Sequence, residues 1–235
     1  MSAVNTYDQC ADQYEAYVSG RDEKDLSGDD FDADFFRVIG EVGGLRALDA
    51  GCGEGFIARV LEFKRAMVTG VDVSAKLVEK AKRKSEGSIE YLVADLSKPL
   101  LQFEEHFDLV ASHFVLNDVP DYEGFISTLG SVTKPGGRAV LSLNNPYSAV
   151  LREKADTYFD SGATRPYGFM SSSGVKVYHY HRTMGEYIKA FADCGLLLRG
   201  LIEPPPRPVE PDERRIKWNQ VPLCIVMEFL KVHGR

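Results

Sequence analysis

Cysteine is scarce in this chain. Four occur among 235 residues, Cys10, Cys52, Cys194 and Cys224, far apart and with no C-x-x-C pair. That spacing excludes a disulfide framework and a zinc knuckle. No run of about 18 apolar residues is present, so no membrane span is expected. The opening MSAVNTYDQCADQYEAY lacks a charged start followed by an apolar run, so it does not read as a secretory signal and a cytoplasmic protein is expected. Positive charge is also in deficit: the formal net charge is -7, whereas a nucleic-acid-binding protein carries a basic face. No nucleic acid partner is therefore expected. One basic cluster, Lys76, Lys80, Lys82, Arg83 and Lys84, lies on a predicted helix whose apolar side is Leu77, Val78 and Ala81, and it reads as a solvated outer face. There is no internal repeat.

What is present is enough apolar material for one sizeable α/β domain, 44% of the residues. Tyr7, Ala11, Tyr14 and Val18 recur at helical spacing over 6–18. After an acidic link, Asp22 to Asp30, a second helix is expected over 31–42, with Asp29 or Asp30 as N-cap. Strands then alternate with helices: strand 45–50, helix 55–63, strand 67–72, helix 75–85 capped by Ser74, strand 89–94, strand 107–112, helix 121–133, the turn Pro135-Gly136-Gly137 and strand 138–144. This predicts a doubly wound, mostly parallel sheet with helices on both faces. The stretch 146–182, rich in Tyr, Ser, Gly and His, is too long for an ordinary connection and reads as a cap insertion. Thr183 and Glu186 form a capping-box pattern for helix 183–195, which Gly195 ends. The last strands, 196–202 and 221–231, are joined by a Pro-rich loop without a crossover helix. They predict an antiparallel hairpin at one sheet edge. The chain reads as a single domain, 1–235, with residues 1–42 as a helical cap.

The most informative stretch is Leu48-Asp49-Ala50-Gly51-Cys52-Gly53-Glu54-Gly55, a strand, a glycine turn and a helix start. Glycines at that spacing let the backbone approach a ligand and leave the first N–H groups of the helix free. Gly53-x-Gly55-x-x-Ala58 also fits the dinucleotide fingerprint, with Asp72 at the end of the next strand, so an NAD(P)-dependent oxidoreductase is one reading. A binding protein that regulates without catalysis is another.

The wider set of motifs resembles the class I S-adenosylmethionine-dependent methyltransferases. Asp49-Ala50-Gly51-Cys52-Gly53-Glu54-Gly55 is similar to that family's first motif, Val71-Asp72-Val73-Ser74 to its second-strand acid and Ala94-Asp95-Leu96 to its third. Phe107-Asp108-Leu109-Val110 followed by Leu116-Asn117-Asp118-Val119 is similar to its fourth strand, and Lys134-Pro135-Gly136-Gly137 to the turn before its fifth. The tail Tyr180-His181-Arg182 … Glu186-Tyr187 … Gly195 … Glu203-Pro204 resembles small-molecule methyltransferases of the ubiquinone-biosynthesis type. The resemblance implies a seven-stranded Rossmann-like sheet, with S-adenosylmethionine as cofactor and S-adenosylhomocysteine as product.

The cofactor's chemistry can be laid on these positions. Backbone at Ala50, Gly51, Gly53 and Gly55 suits its carboxylate, and Asp49 can face its ammonium or organise the turn. Asp72 can accept both ribose hydroxyls, since a carboxylate has two oxygens. Asp95 can accept from the adenine amino group, or it forms a turn before Pro99. Ala94 adjoins it, and Val73 and Leu96 are expected to wall the ring. Tyr14 and Tyr17 lie on the first helix, which in the resembling family covers the cofactor. An aromatic there would shield the sulfonium by cation–π attraction.

The acceptor side is read more coarsely. His113, beside the expected methyl position, and His179 and His181, on one face of a strand, are candidate bases, and His113 is placed among the cofactor residues as well. No acid or third ligand accompanies the two histidines, so no metal is expected. Tyr17, Asn117, Tyr147, Tyr167 and His181 are placed on the substrate, with Tyr158 as a further wall. The expectation is methyl transfer to O, N or C of a small metabolite by a monomer or homodimer.

Overall fold

A computed structural model describes residues 6–21, 23, 31–150, 155–162, 164–166, 175, 177–205 and 221–233. Its helices are α1 (Thr6–Gln9), α2 (Ala11–Val18), α3 (Phe31–Ile39), α4 (Phe56–Phe63), α5 (Ala75–Lys84), α6 (Tyr122–Val132) and α7 (Met184–Asp193). Its strands are β1 (Arg46–Ala50), β2 (Met67–Asp72), β3 (Glu90–Val93), β4 (Phe107–His113), β5 (Thr133–Asn144), β6 (Thr164–Pro166), β7 (Tyr178–Tyr180), β8 (Leu196–Ile202) and β9 (Cys224–Lys231). Among the described residues no helix is long and apolar enough to cross a membrane.

Seven strands form one sheet in the order β3-β2-β1-β4-β5-β9-β8, and β6 and β7 pair separately. β1 to β5 run parallel, and β9 is antiparallel to both neighbours, β5 and β8. The expected edge hairpin is therefore present. The chain steps outward from β1 to β3 and then returns to the other side of β1 as β4. That reversal opens a crevice at the carboxyl ends of β1 and β4, where open α/β sheets bind ligands.

The sequence pattern explains the layers. β1 is flanked by strands on both sides and covered on both faces, so Ala47, Leu48, Asp49 and Ala50 are all buried. Phe35, Ile39, Val60, Leu61 and Val78 from α3, α4 and α5 fill one face. Phe125, Leu129, Tyr187 and Phe191 from α6 and α7 fill the other. Phe191 stacks on Phe229 of β9 at 4.0 Å between ring centroids, which ties α7 to the hairpin.

Several boundaries differ from expectation. The helix expected over 6–18 breaks at Cys10, whose backbone leaves helical geometry while its thiol donates to the Thr6 carbonyl and packs beside Val177. The second helix stops at Ile39 rather than at 42, because Gly40 turns left-handed (φ 65°) and its N–H closes on the Phe36 carbonyl. β5 starts at Thr133, so the Pro-Gly-Gly turn is absorbed into the strand at a register shift between Phe107 and Leu109. β9 begins at Cys224 rather than at 221. The capping box at Thr183 and Glu186 is complete. The proposed caps Asp29 and Asp30 lie outside the described residues.

Candidate functional site

The glycine turn is clamped between strands. The N–H groups of Gly51 and Cys52 both donate to the Val71 carbonyl, at 2.8 and 3.0 Å. Gly51 has φ 83°, and a Cβ there would sit 2.4 Å from a Val115 methyl. Gly55 has φ 88°, and its Cβ would sit 2.6 Å from the Tyr91 hydroxyl. Side chains are thus excluded at both ends of the turn, by backbone conformation and by space.

Asp72, at the tip of β2, accepts from the Gly53 N–H through Oδ2 and from the Ser74 N–H through Oδ1, both at 2.8 Å. Burial nevertheless raises its pKa, working against these donors. Each oxygen retains a lone pair for a further donor. The Ser74 hydroxyl caps α5, as expected, by accepting from the Leu77 N–H.

Asp49 differs in kind. Both carboxylate oxygens are buried and make no hydrogen bond among the described residues, with the Ala58 N–H the backbone donor that faces them and favours the charged form. Burial pushes its pKa up to about 8, with the negative charges of Asp72 and Glu54 adding to the shift. Leaving such a group unpaired is costly, so the site is built for a donor or cation that arrives from outside. An ammonium group beside a glycine cradle meets that need, and the residues present fit the methionine end of the expected cofactor.

On the next strand the Asp95 Oδ1 accepts from the Ser97 N–H and hydroxyl, at 2.9 and 2.7 Å. The turn-forming role is thus realised, and Oδ2 makes no hydrogen bond among the described residues. Ala94 is bound back to the Asp72 carbonyl. Leu96 is buried in the core with Leu100 and Phe125, and Val73 is half-buried at the end of β2.

The N-terminal helices lie across this row. A Cβ on Gly53 would meet the Tyr14 ring at 3.4 Å, and burial raises the Tyr14 pKa. Tyr17, one turn on, is 64% exposed, so the structure brings Tyr14 rather than Tyr17 to the turn. The Tyr7 hydroxyl donates to Asp118 at 2.5 Å. Asp8 accepts from the Ser74 hydroxyl and from the Lys76 N–H at the start of α5. Of the basic cluster, Lys76, Lys82, Arg83 and Lys84 are exposed as expected, whereas Lys80 is buried; Lys80 pairs with Asp12 and Glu15, and Lys84 with Glu15 and Glu54. Arg21 lies 3.8 Å over the Phe56 ring and holds Asp32 through two hydrogen bonds.

His113, a candidate base, sits at the end of β4. Its Nε2 faces Asp32 at 2.8 Å and its Nδ1 meets the Ser142 hydroxyl at 2.6 Å. The ring packs on Phe35 of α3. Both nitrogens are engaged, so the ring ties α3 to the ends of β4 and β5. Burial opposes charge on Asp32, but His113 and Arg21 outweigh it and draw the carboxyl down to about 2.

Asn117, expected on the substrate, is buried. Its Oδ1 accepts from the Asn144 N–H at 2.8 Å and its Nδ2 donates to the Tyr187 hydroxyl at 3.3 Å, so its amide joins β5 to α7 and is committed to the fold. His179 and His181 are both buried while Tyr178 is turned out, as the alternation predicted. His181 Nε2 lies 2.8 Å from the Tyr158 carbonyl. A carbonyl can only accept, so Nε2 carries the proton and Nδ1 keeps the lone pair. Tyr147 stacks on Tyr158 at 4.9 Å and is half exposed. Tyr167 lies outside the described residues. Among the described residues no cluster of His, Cys, Asp and Glu could hold a metal.

Asp8, Arg21, Asp32, Ser142 and Val115 escape a reading of the sequence. Each acts on a partner distant in the chain, and no spacing marks it. The Tyr7-Asp8 pair at the start of an amphipathic helix is the one faint signal.

Residues 48–141 match the family model described as a methyltransferase domain. The ubiquinone biosynthesis O-methyltransferase of Coxiella burnetii is 34% identical over 112 residues, 46% of this chain and 47% of that protein. The tRNA 5-carboxymethoxyuridine methyltransferase of Escherichia coli is 28% identical over 161 residues, 66% of this chain and 62% of that one. The match thus spans about half the length of the first relative and under two thirds of the second. A crystal structure of an S-adenosylmethionine-dependent methyltransferase from Mesorhizobium loti superposes with a TM-score of 0.67 at 24% identity, covering 88% of this chain and 100% of that one. This likeness carries the fold.

Proposed function

We propose that this chain is a class I S-adenosylmethionine-dependent methyltransferase and that it methylates O, N or C of a small metabolite. The observation that carries the reading is Asp49, a buried carboxylate with no hydrogen-bond partner among the described residues, set beside a glycine turn, with Asp72 at the end of the next strand, β2, and Asp95 just past the end of β3 beyond it. When bound, the cofactor supplies a methyl group already activated on a sulfonium. The chain's residues then have to bind, orient and exclude water. Asp49 would hold the ammonium, the N–H groups of the turn the carboxylate, Asp72 the ribose hydroxyls and Asp95 the adenine amino group. Tyr14 would close the cradle and shield the sulfonium.

The accepting atom has to be held about 3–3.5 Å from the methyl carbon, in line with the breaking bond. The Coxiella relative's name favours oxygen, and a hydroxyl acceptor gains from a base. We assign that role to His181 Nδ1. His181→Gln is expected to lower kcat by about 10²–10⁴-fold with unchanged cofactor affinity. An unchanged kcat would remove His181 from the chemistry.

The E. coli relative supports a second acceptor class, a modified tRNA base, which the net charge of -7 opposes. Thermal shift tests the core of the reading. S-adenosylmethionine and S-adenosylhomocysteine at about 100 times Kd should each stabilise the protein by about 2.7 kcal/mol, and NAD and NADP should not. Stabilisation by NAD alone would overturn it, and turnover with unmodified metabolites but not tRNA would decide the acceptor class.

A further inference from the structure

We propose that Arg182 is the anion-recognition group of the acceptor site and that the acceptor carries a carboxylate. The inference rests on the methyltransferase reading and adds a substrate class to it. Arg182 follows β7 directly and is only 5% exposed. Its guanidinium donates to the Pro120 carbonyl at 2.7 Å and, at a long 3.5 Å, to the Tyr180 carbonyl. The Tyr187 hydroxyl lies against it. The Tyr122 and Tyr180 rings approach at 4.8 and 4.9 Å.

No carboxylate pairs with it among the described residues. The acids of the neighbouring elements are committed elsewhere: Asp118 to the Tyr7 hydroxyl, Glu123 to the Tyr122 hydroxyl, and Glu186 to Ser161 and Thr183. Carbonyl oxygens and aromatic faces stabilise a cation without neutralising it, and a buried charge with no counter-ion is costly. Structural arginines at this depth are normally paired with an acid. A guanidinium also has five N–H donors in a planar fork that fits a carboxylate in two-point contact, and more of them are present than these partners use.

Its position suits the acceptor. Pro120 and Tyr122 flank the loop that follows β4, on the side of the sheet where the crevice opens, and Asn117 of the same loop bonds Tyr187 and the end of β5. Tyr122 and Tyr180 are both partly exposed, so an incoming anion reaches the guanidinium by displacing a ring rather than backbone. In a chain with a net charge of -7, a buried cation also gives an acidic metabolite a local reason to bind.

The test uses the full chain saturated with S-adenosylhomocysteine and isothermal titration with benzoate, benzamide and phenyl phosphate. Benzoate is expected to bind about tenfold or more tighter than benzamide, the scale of a charge-assisted hydrogen bond. The preference should fall below about twofold in Arg182→Gln and recover in part in Arg182→Lys, which keeps the charge but loses the fork. S-adenosylhomocysteine affinity should stay the same in both variants, which shows that they fold. Equal binding of benzoate and benzamide by the wild-type chain, or a preference that survives Arg182→Gln, would overturn the proposal. Tighter binding of phenyl phosphate than of benzoate would overturn the carboxylate assignment. Failure of S-adenosylhomocysteine itself to bind would instead sink the methyltransferase reading. If Arg182→Gln does not fold, the wild-type comparison and Arg182→Lys still decide the matter.

Discussion

The two halves of the crevice are built by different means. On the cofactor side, every proposed contact group but Tyr14 of α2 sits near a strand tip or in the turn that follows it: Asp49 at the end of β1 and the glycines after it, Asp72 at the end of β2, Asp95 after β3. Each is fixed by bonds to residues a few positions away or to the adjoining strand. On the acceptor side, Asn117 reaches Tyr187, Arg182 reaches Pro120, and His181 reaches Tyr158. A cofactor of constant shape can be met by a local backbone pattern, whereas an acceptor pocket is assembled from loops that meet only after folding.

The comparison can be broken first at Gly51. Gly51→Ala forces a left-handed backbone on a residue with a Cβ and drives that Cβ into Val115. A loss of about 3 kcal/mol is expected in chemical denaturation, and a loss under 0.5 kcal/mol would mean that the turn yields easily. Asp72→Asn keeps the shape but loses the charge. It should weaken S-adenosylmethionine by about 1–3 kcal/mol in titration calorimetry, and equal affinity would remove Asp72 from the site. The smallest effect is expected at Lys80, whose stem is buried while its ammonium stays at the surface with Asp12 and Glu15. Lys80→Met should cost less than about 1 kcal/mol and only at low salt. A larger cost at high salt would show that α2 is held there by more than charge.

The same contrast governs what the sequence made legible. Strand alternation and the glycine turn placed the sheet, its edge hairpin and the three acids, because these depend on period and on residues close in the chain. The partners of His113, Asp32 and Ser142, lie on α3 and β5, and nothing in the spacing announces them. The partners of Asn117, Asn144 and Tyr187, are equally distant in the chain. Lys80 alone of the α5 cluster departs from the solvated reading, because the acids that pair with it, Asp12 and Glu15, are more than sixty positions away, on α2. Arg182 lies inside the tail that resembles the family, but that no carboxylate among the described residues pairs with it is visible only in three dimensions.

Titration of Asp49 links the fold to the proposed chemistry. Its folded pKa, about 8, stands above the ordinary carboxylate value, so the empty cradle loses stability as pH rises from about 4 towards about 8. A bound ammonium reverses that preference and favours the carboxylate. The decisive measurement is calorimetry of S-adenosylmethionine binding at pH 6.5 in buffers of differing ionisation enthalpy. The wild-type chain should release about one proton on binding and Asp49→Asn none. Binding without proton release, or the same release from both proteins, would contradict the central claim that Asp49 waits in the cradle for the cofactor's positive charge.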